Sequence, residues 1–262
     1  GVNLRTWVVS AAFFSISGLL SLPWEIYGDW ARERSYGRTS QPLLDFLGQG
    51  FLSLVIAAVL VGLFFVGVYA LIRRAGRLWW LWSGGLTAVA LSFFLLAAPL
   101  VIEPLFNDYK PVPEGEVRDA LVEMAHQSGV PDDRLFVYDG SRQSNNFTAN
   151  VAGMGGTARI AISDVAFKGA SLDEVKAVTG HEIGHYVLRH VWRTVLVLSA
   201  LAIVFFFVAD RSFPHFARAF GSRANIGDPV GLPVLIFMMS LFLLLAQPLV
   251  NGIIRDGENA AD

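Results

Sequence analysis

The chain of 262 residues has no cysteine, so it has neither disulfides nor a thiolate nucleophile, and its redox compartment is left open. Charge is also scarce: Asp, Glu, Lys and Arg make up 16% of the residues, with a net charge of -2. No basic run is present, which argues against a nucleic-acid partner. Apolar residues fill the gap. They account for 54% of the chain, with a mean hydropathy of +0.51, well outside the range of ordinary soluble domains.

The apolar residues are grouped. Five segments carry no charge at all: 6–23, 46–72, 78–102, 194–209 and 229–254. About 20 apolar residues cross the hydrocarbon core of a bilayer, so four of the five are long enough to span it. The fourth is short and reads as a continuation of the helix before it. Trp79, Trp80 and Trp82 open the third segment, where an interfacial aromatic belt is expected. The first segment lacks the basic lead of a signal peptide, and a chain beginning at Gly1 reads as trimmed or processed. Orientation is balanced between Arg73, Arg74 and Arg77 on one side and Arg32, Arg34 and Arg38 on the other.

Only five histidines occur, and two of them stand four apart in His181-Glu182-Ile183-Gly184-His185. H-E-x-x-H is the signature of a helix-borne zinc site in metalloproteases. On a helix, positions i and i+4 share a face, so both imidazoles reach one metal. Glu182 is offset around the axis, placed to act on water beside the metal rather than to ligate it. Ser171 and Glu174 form a capping box that starts this helix, and its flanks Val178, Thr179, Tyr186 and Val187 are uncharged. His190 falls off the ligand face and reads as structural or chamber-lining rather than as a ligand.

Catalytic zinc sites take a third protein ligand, often a carboxylate. Two candidates exist: Glu258, beyond the fifth span, and Glu103, at the end of the third. Around the motif lies the one polar region, with an amphipathic helix over 117–128 capped by Gly129. A strand is predicted at 135–138 and a second at 157–163, with Ile160 and Ile162 on one face. Gly153, Gly155 and Gly156 read as a flexible turn. Helix, strand, strand and metal helix together make a small zincin-like unit, in which an edge strand can hold an extended peptide.

Several segments together resemble the integral-membrane CAAX prenyl proteases, zinc enzymes related to a bacterial heat-shock membrane protease. H-E-x-x-H matches at His181–His185, and the family's E-x-x-A-D matches Glu258, Ala261 and Asp262, with Arg255 three positions before the Glu. Pro104-Leu105-Phe106-Asn107 resembles its P-L-F-N, Pro113-Glu114-Gly115 its turn, and Ser144-Asn145-Asn146 its S-N-A. Arg159-Ile160 to Asp164 resembles its R-I-V-x-x-D strand, and 24–39 loosely its first linker.

The resemblance implies zinc, one per chain, on His181, His185 and Glu258, with Glu182 as general base. It further implies Asn145 and Asn146 on a substrate-pairing edge strand, and Arg255 and Asp262 as groups that orient the ligands. The family continues past Asp262 into a further helix, so the sequence is expected to be part of a longer chain, without some of the family's seven spans and any transition-state-stabilising group from that region.

The expected fold is mainly α: a multi-pass helical membrane protein with a small α+β zincin-like subdomain, its helices enclosing a water-filled chamber. Gln49, Gln247 and Asn251 fit either a chamber lining or interhelical hydrogen bonds. Along the chain, 1–102 holds three spans with a polar linker at 24–42. Residues 103–190 form the catalytic region, 191–254 two further spans, and 255–262 carries the third ligand. The expected function is hydrolysis of peptide bonds in a peptide or protein substrate at the bilayer, the substrate prenylated if the CAAX resemblance extends that far. A broad-specificity quality-control protease and an inactive zinc-binding scaffold or transport protein are the alternatives.

Overall fold

A computed structural model describes residues 1–262. The helices are α1 (Val2–Glu25), α2 (Arg32–Ser35), α3 (Leu43–Arg74), α4 (Trp79–Ser92), α5 (Ala98–Val101), α6 (Glu116–Ser128), α7 (Leu172–Val187), α8 (His190–Ala219) and α9 (Leu232–Ala261). The strands are β1 (Tyr109–Pro111), β2 (Leu135–Tyr138), β3 (Ala149–Ala152) and β4 (Arg159–Ser163). The chain divides into two compact units that interleave in sequence. One comprises Gly1–Pro23, Gly50–Leu91 and Thr194–Ile253, the other Trp24–Gln49, Ser92–Arg193 and Ile254–Asp262.

The first unit contains helices and their connections and no strand. Five helical stretches, Val2–Ser35, Leu43–Arg74, Gly76–Val101, His190–Ala219 and Pro229–Ala261, are long and apolar enough to cross a membrane. They correspond one to one to the five charge-free segments. Phe65, Val68, Tyr69, Trp79, Phe206, Phe213 and Leu235 form its buried core. The Trp79 indole donates to Asp210 at 2.7 Å, giving a carboxylate in an apolar helix a partner. Close helix approach depends on small residues: a Cβ on Gly84 would lie 2.1 Å from Ile203.

In the second unit a four-stranded sheet runs in the order β1-β2-β4-β3. The β2–β4 pair is parallel, Leu135 opposite Ile160, and the β1–β2 and β3–β4 pairs are antiparallel. All five residues of β4 are buried, as expected for a central strand. Leu121 and Ala125 of α6 and Val175 of α7 pack with Leu135, Ile160 and Ile162 into one core. Arg159 anchors the start of β4: it donates to the Pro99 carbonyl (2.6 Å) and to Glu103 (3.2 Å), and lies over the Tyr109 ring.

Four expectations are corrected. The linker at 24–42 is mostly helical, because α1 runs through a π-helical turn, Ile26–Ala31, into α2. The fourth span does not continue the metal helix: α7 ends at Val187, and Arg189, at a left-handed φ of 56°, starts α8 as a separate helix. The sheet has four strands rather than two, and β4 begins at Arg159. Asn145 and Asn146 do not lie on its edge strand β3; they form a bend ahead of it. The bonds of Asn145 explain this: its backbone N–H donates to the Arg38 carbonyl and its side chain to the Gly37 carbonyl, each at 2.8 Å.

Candidate metal centre

The capping box predicted for α7 is present. Ser171 Oγ accepts from the Glu174 N–H at 3.2 Å, and the Ser171 N–H donates to the Glu174 carboxylate at 2.7 Å. It fixes the first turn of a helix whose Val175 and Ile183 face the core, and this turns His181 and His185 to the opposite side, with Glu182 between the two faces. The C-terminal turn of α9 reaches this face because residue 184 is glycine. A Cβ there would meet Ala261 at 2.8 Å from its carbonyl oxygen and 3.1 Å from its Cα. Gly257, which from sequence reads as a flexible break, lies inside the continuous helix α9 and is buried.

Three donor atoms converge. His181 Nε2 is 3.0 Å from His185 Nε2 and 3.1 Å from Glu258 Oε2, and His185 Nε2 is 3.6 Å from the same oxygen. Donors at roughly 2.0–2.1 Å from a tetrahedral zinc stand about 3.3 Å apart. The observed separations bracket that value, so the three side chains fit a metal ion of this size without rearrangement. Of the two carboxylates that competed for the third place, Glu258 is here. Glu103 accepts from Tyr109 at 2.8 Å and from Arg159, and so serves the sheet.

The groups behind the donors set their tautomers. Asp262 Oδ1 is 2.7 Å from His181 Nδ1; a carboxylate only accepts, so this bond holds a proton on Nδ1 and leaves Nε2 as the nitrogen that would ligate a metal. His185 Nδ1 is 2.8 Å from His190 Nδ1. With His185 donating in that bond, its Nε2 lone pair also faces inward. His190 owes its place to the left-handed Arg189, which turns the chain back towards α7. Helical spacing alone places it off the ligand face. Arg255, expected beside the ligands, makes no hydrogen bond or ion pair. The ion pair bracing this turn is Arg193–Asp256 at 2.6 Å.

Electrostatics separate the roles further. Burial lowers the pKa of His181, but its hydrogen bonds to Asp262 and Glu258 outweigh that and leave it above the ordinary histidine value. Burial pushes the Glu182 carboxyl up, partly opposed by the two histidines. Glu182 is half-buried and has no hydrogen-bond partner in the protein. A carboxylate kept free beside a potential metal site, with a raised pKa, is suited to receive a proton.

Comparison with known proteins agrees with this geometry. Residues 111–262 match the profile of peptidase family M48, and residues 3–108 match that described as CAAX prenyl protease N-terminal, five membrane helices. The uncharacterized metalloprotease YhfN of Bacillus subtilis is 27% identical over 250 residues, covering 94% of this chain and 58% of that protein. CAAX prenyl protease 1 of Saccharomyces cerevisiae is 28% identical over 251 residues, covering 90% and 54%. The chain thus spans a little over half the length of these relatives. The crystal structure of S. mikatae Ste24p has the same fold, with a TM-score of 0.81 at 23% identity over all of this chain and 64% of that one. With its membrane-type helices and these matches, the protein is a multi-pass integral membrane protein, and the chain belongs to peptidase family M48.

Proposed function

We propose that this chain forms the zinc-binding and membrane portion of an endopeptidase that hydrolyses peptide bonds in a peptide or protein substrate. The observation that carries the proposal is the donor triangle of His181, His185 and Glu258 beside an unpaired, half-buried Glu182. In this reading the three side chains hold one zinc ion, Asp262 and His190 fix the two imidazoles, and Arg255 has no part in orienting them. When bound, zinc supplies Lewis acidity, which polarises a carbonyl and makes a water acidic near neutral pH. Glu182 takes the proton of the attacking water and passes it to the leaving amine, so its raised pKa suits both halves of the exchange.

Residues 103–190 and 255–262 supply the site in this proposal, while 1–102 and 191–254 supply the spans around a water-filled chamber. The name of the yeast relative supports C-terminal trimming of prenylated proteins. The name of the Bacillus relative, an uncharacterized metalloprotease, specifies no substrate, and an endopeptidase with broader substrates is the second reading. Cleavage of matched prenylated and unprenylated peptides separates these. The proposal itself is tested by comparing wild type with Glu182→Gln in a peptide-cleavage assay, both loaded with zinc. Loss of 100-fold or more in kcat is expected; equal activity would remove it.

A further inference from the structure

The charges of the first unit are gathered at one end. It holds seven arginines against two aspartates, with no lysine or glutamate. Contacts bring these residues together from three stretches of the chain. Arg73, at the end of α3, donates to Asn3 at the start of α1 at 2.8 Å, and Arg5 pairs with Asp228, just before α9, at 3.4 Å. The Trp79 indole ties the start of α4 to Asp210 of α8 at 2.7 Å. A Cβ on Gly227 would touch Ile72 at 3.5 Å, so the connection between α8 and α9 lies against the end of α3. The other end of the unit carries no charge.

Most of this charge is uncompensated. The two aspartates are taken by Arg5, at 3.4 Å, and by Arg211, at 3.2 Å. Arg73, Arg74, Arg77, Arg218 and Arg223 remain, all exposed and none with a carboxylate partner. The bonds they make go to neutral acceptors, Arg73 to Asn3 and Arg218 to the Pro214 carbonyl at 3.1 Å. Helix dipoles do not balance them. The C-termini of α3 and α8 offer about half a negative charge each, and the N-termini of α4 and α9 at the same end cancel it. The other arginine group of the sequence is different. Arg32 and Arg38 each reach Glu33 at 3.5 Å, and Arg34 donates to the Gln41 carbonyl at 3.4 Å and lies over Trp30.

The surroundings identify the counter-ion. Leu78 follows Arg77 directly, Phe220 lies between Arg218 and Arg223, and both are exposed, as is Trp82. Clustered apolar side chains are costly in water, and arginines are costly in hydrocarbon. The layer that suits both is the headgroup region of a bilayer, where the spans of this integral membrane protein end. The anion at that depth is the lipid phosphate, and a guanidinium fork meets two of its oxygens at once. A zwitterionic lipid brings its own cation, whereas an anionic lipid brings net charge to offset the arginines. We infer that this end of the bundle is a binding surface for anionic phospholipids. Arg73, Arg74 and Arg77 of one turn, with Arg218 and Arg223 of the other, engage the headgroups, each contributing roughly fivefold in affinity.

The test uses the full chain in detergent micelles, titrated with phosphatidylglycerol or phosphatidylcholine of the same acyl chains, with bound lipid counted by native mass spectrometry. Wild type should bind phosphatidylglycerol about 10-fold or more tightly than phosphatidylcholine. Arg73→Gln/Arg74→Gln/Arg77→Gln and Arg218→Gln/Arg223→Gln should each bring that ratio to about threefold or less. The matching lysine variants keep the charge and should hold it at about fivefold or more, which separates loss of charge from loss of fold. Arg32→Gln/Arg34→Gln/Arg38→Gln should leave it unchanged. Excess inorganic phosphate at constant ionic strength should not displace the lipid. Equal affinity of wild type for the two lipids would overturn the inference. So would an undiminished ratio in both glutamine variants, an equal fall in the Arg32/Arg34/Arg38 variant, or displacement by phosphate, which would mark a free-anion site.

Discussion

Substituting Gly184 with alanine separates local from tertiary control of the site. In an isolated helix the change is favourable, by about 1 kcal/mol, because alanine costs less backbone entropy than glycine. Here the added Cβ would lie 2.8 Å from the Ala261 carbonyl oxygen and 3.1 Å from its Cα. Relief to an ordinary contact of about 3.5 Å displaces the last turn of α9 by roughly 0.7 Å. Glu258 is one turn back on that helix and moves with it, whereas a metal ligand tolerates only about 0.2 Å. We therefore expect Gly184→Ala to keep its helical content and lose zinc affinity by roughly 10- to 100-fold, the size of effect that follows loss of a supporting group. A chelator-competition titration with parallel circular dichroism measures both. Wild-type zinc affinity in a normally folded Gly184→Ala protein would refute the close approach of α9 to α7 on which the site depends.

Other consequences are as direct. Asp262→Ala removes the group that holds the His181 proton on Nδ1, and zinc affinity should fall by about 10- to 100-fold, read in the same titration. The active form of Glu182 is deprotonated, and burial raises its carboxyl in the metal-free site, so activity at saturating zinc is lost on the acid side. The kcat/KM profile should show an acid limb that is altered in Glu182→Gln, and a rate that does not fall with decreasing pH would contradict the assignment. Arg159→Met removes the donor to the Pro99 carbonyl and to Glu103 at a buried position. The cost is about 1–3 kcal/mol, visible as a lower thermal unfolding midpoint.

The five spans were legible because absence of charge over 16 to 27 residues is a strong signal. The two histidines, their glutamate and the capping box were legible because helical spacing is rigid. Glu258 rested on a resemblance: nothing local says that a residue 73 positions after His185 returns to it, and Gly184 and Ala261 become partners only in the fold. The strands β1 and β3, of three and four residues, are too short to show an alternation. Asn145 reads as an edge-strand residue until the carbonyls of Gly37 and Arg38 are seen to hold it in the bend before β3. His190 could not be placed from helical periodicity, since its position depends on a left-handed arginine, a conformation that sequence rarely announces.

The central claim is that His181, His185 and Glu258 together hold one metal ion. Elemental analysis of the protein purified without chelators, for wild type and Glu258→Ala, tests it most directly. One zinc per chain in wild type, and its loss or sharp reduction in the variant, is the predicted result. Zinc absent from wild type, or fully retained when Glu258 is alanine, would contradict it.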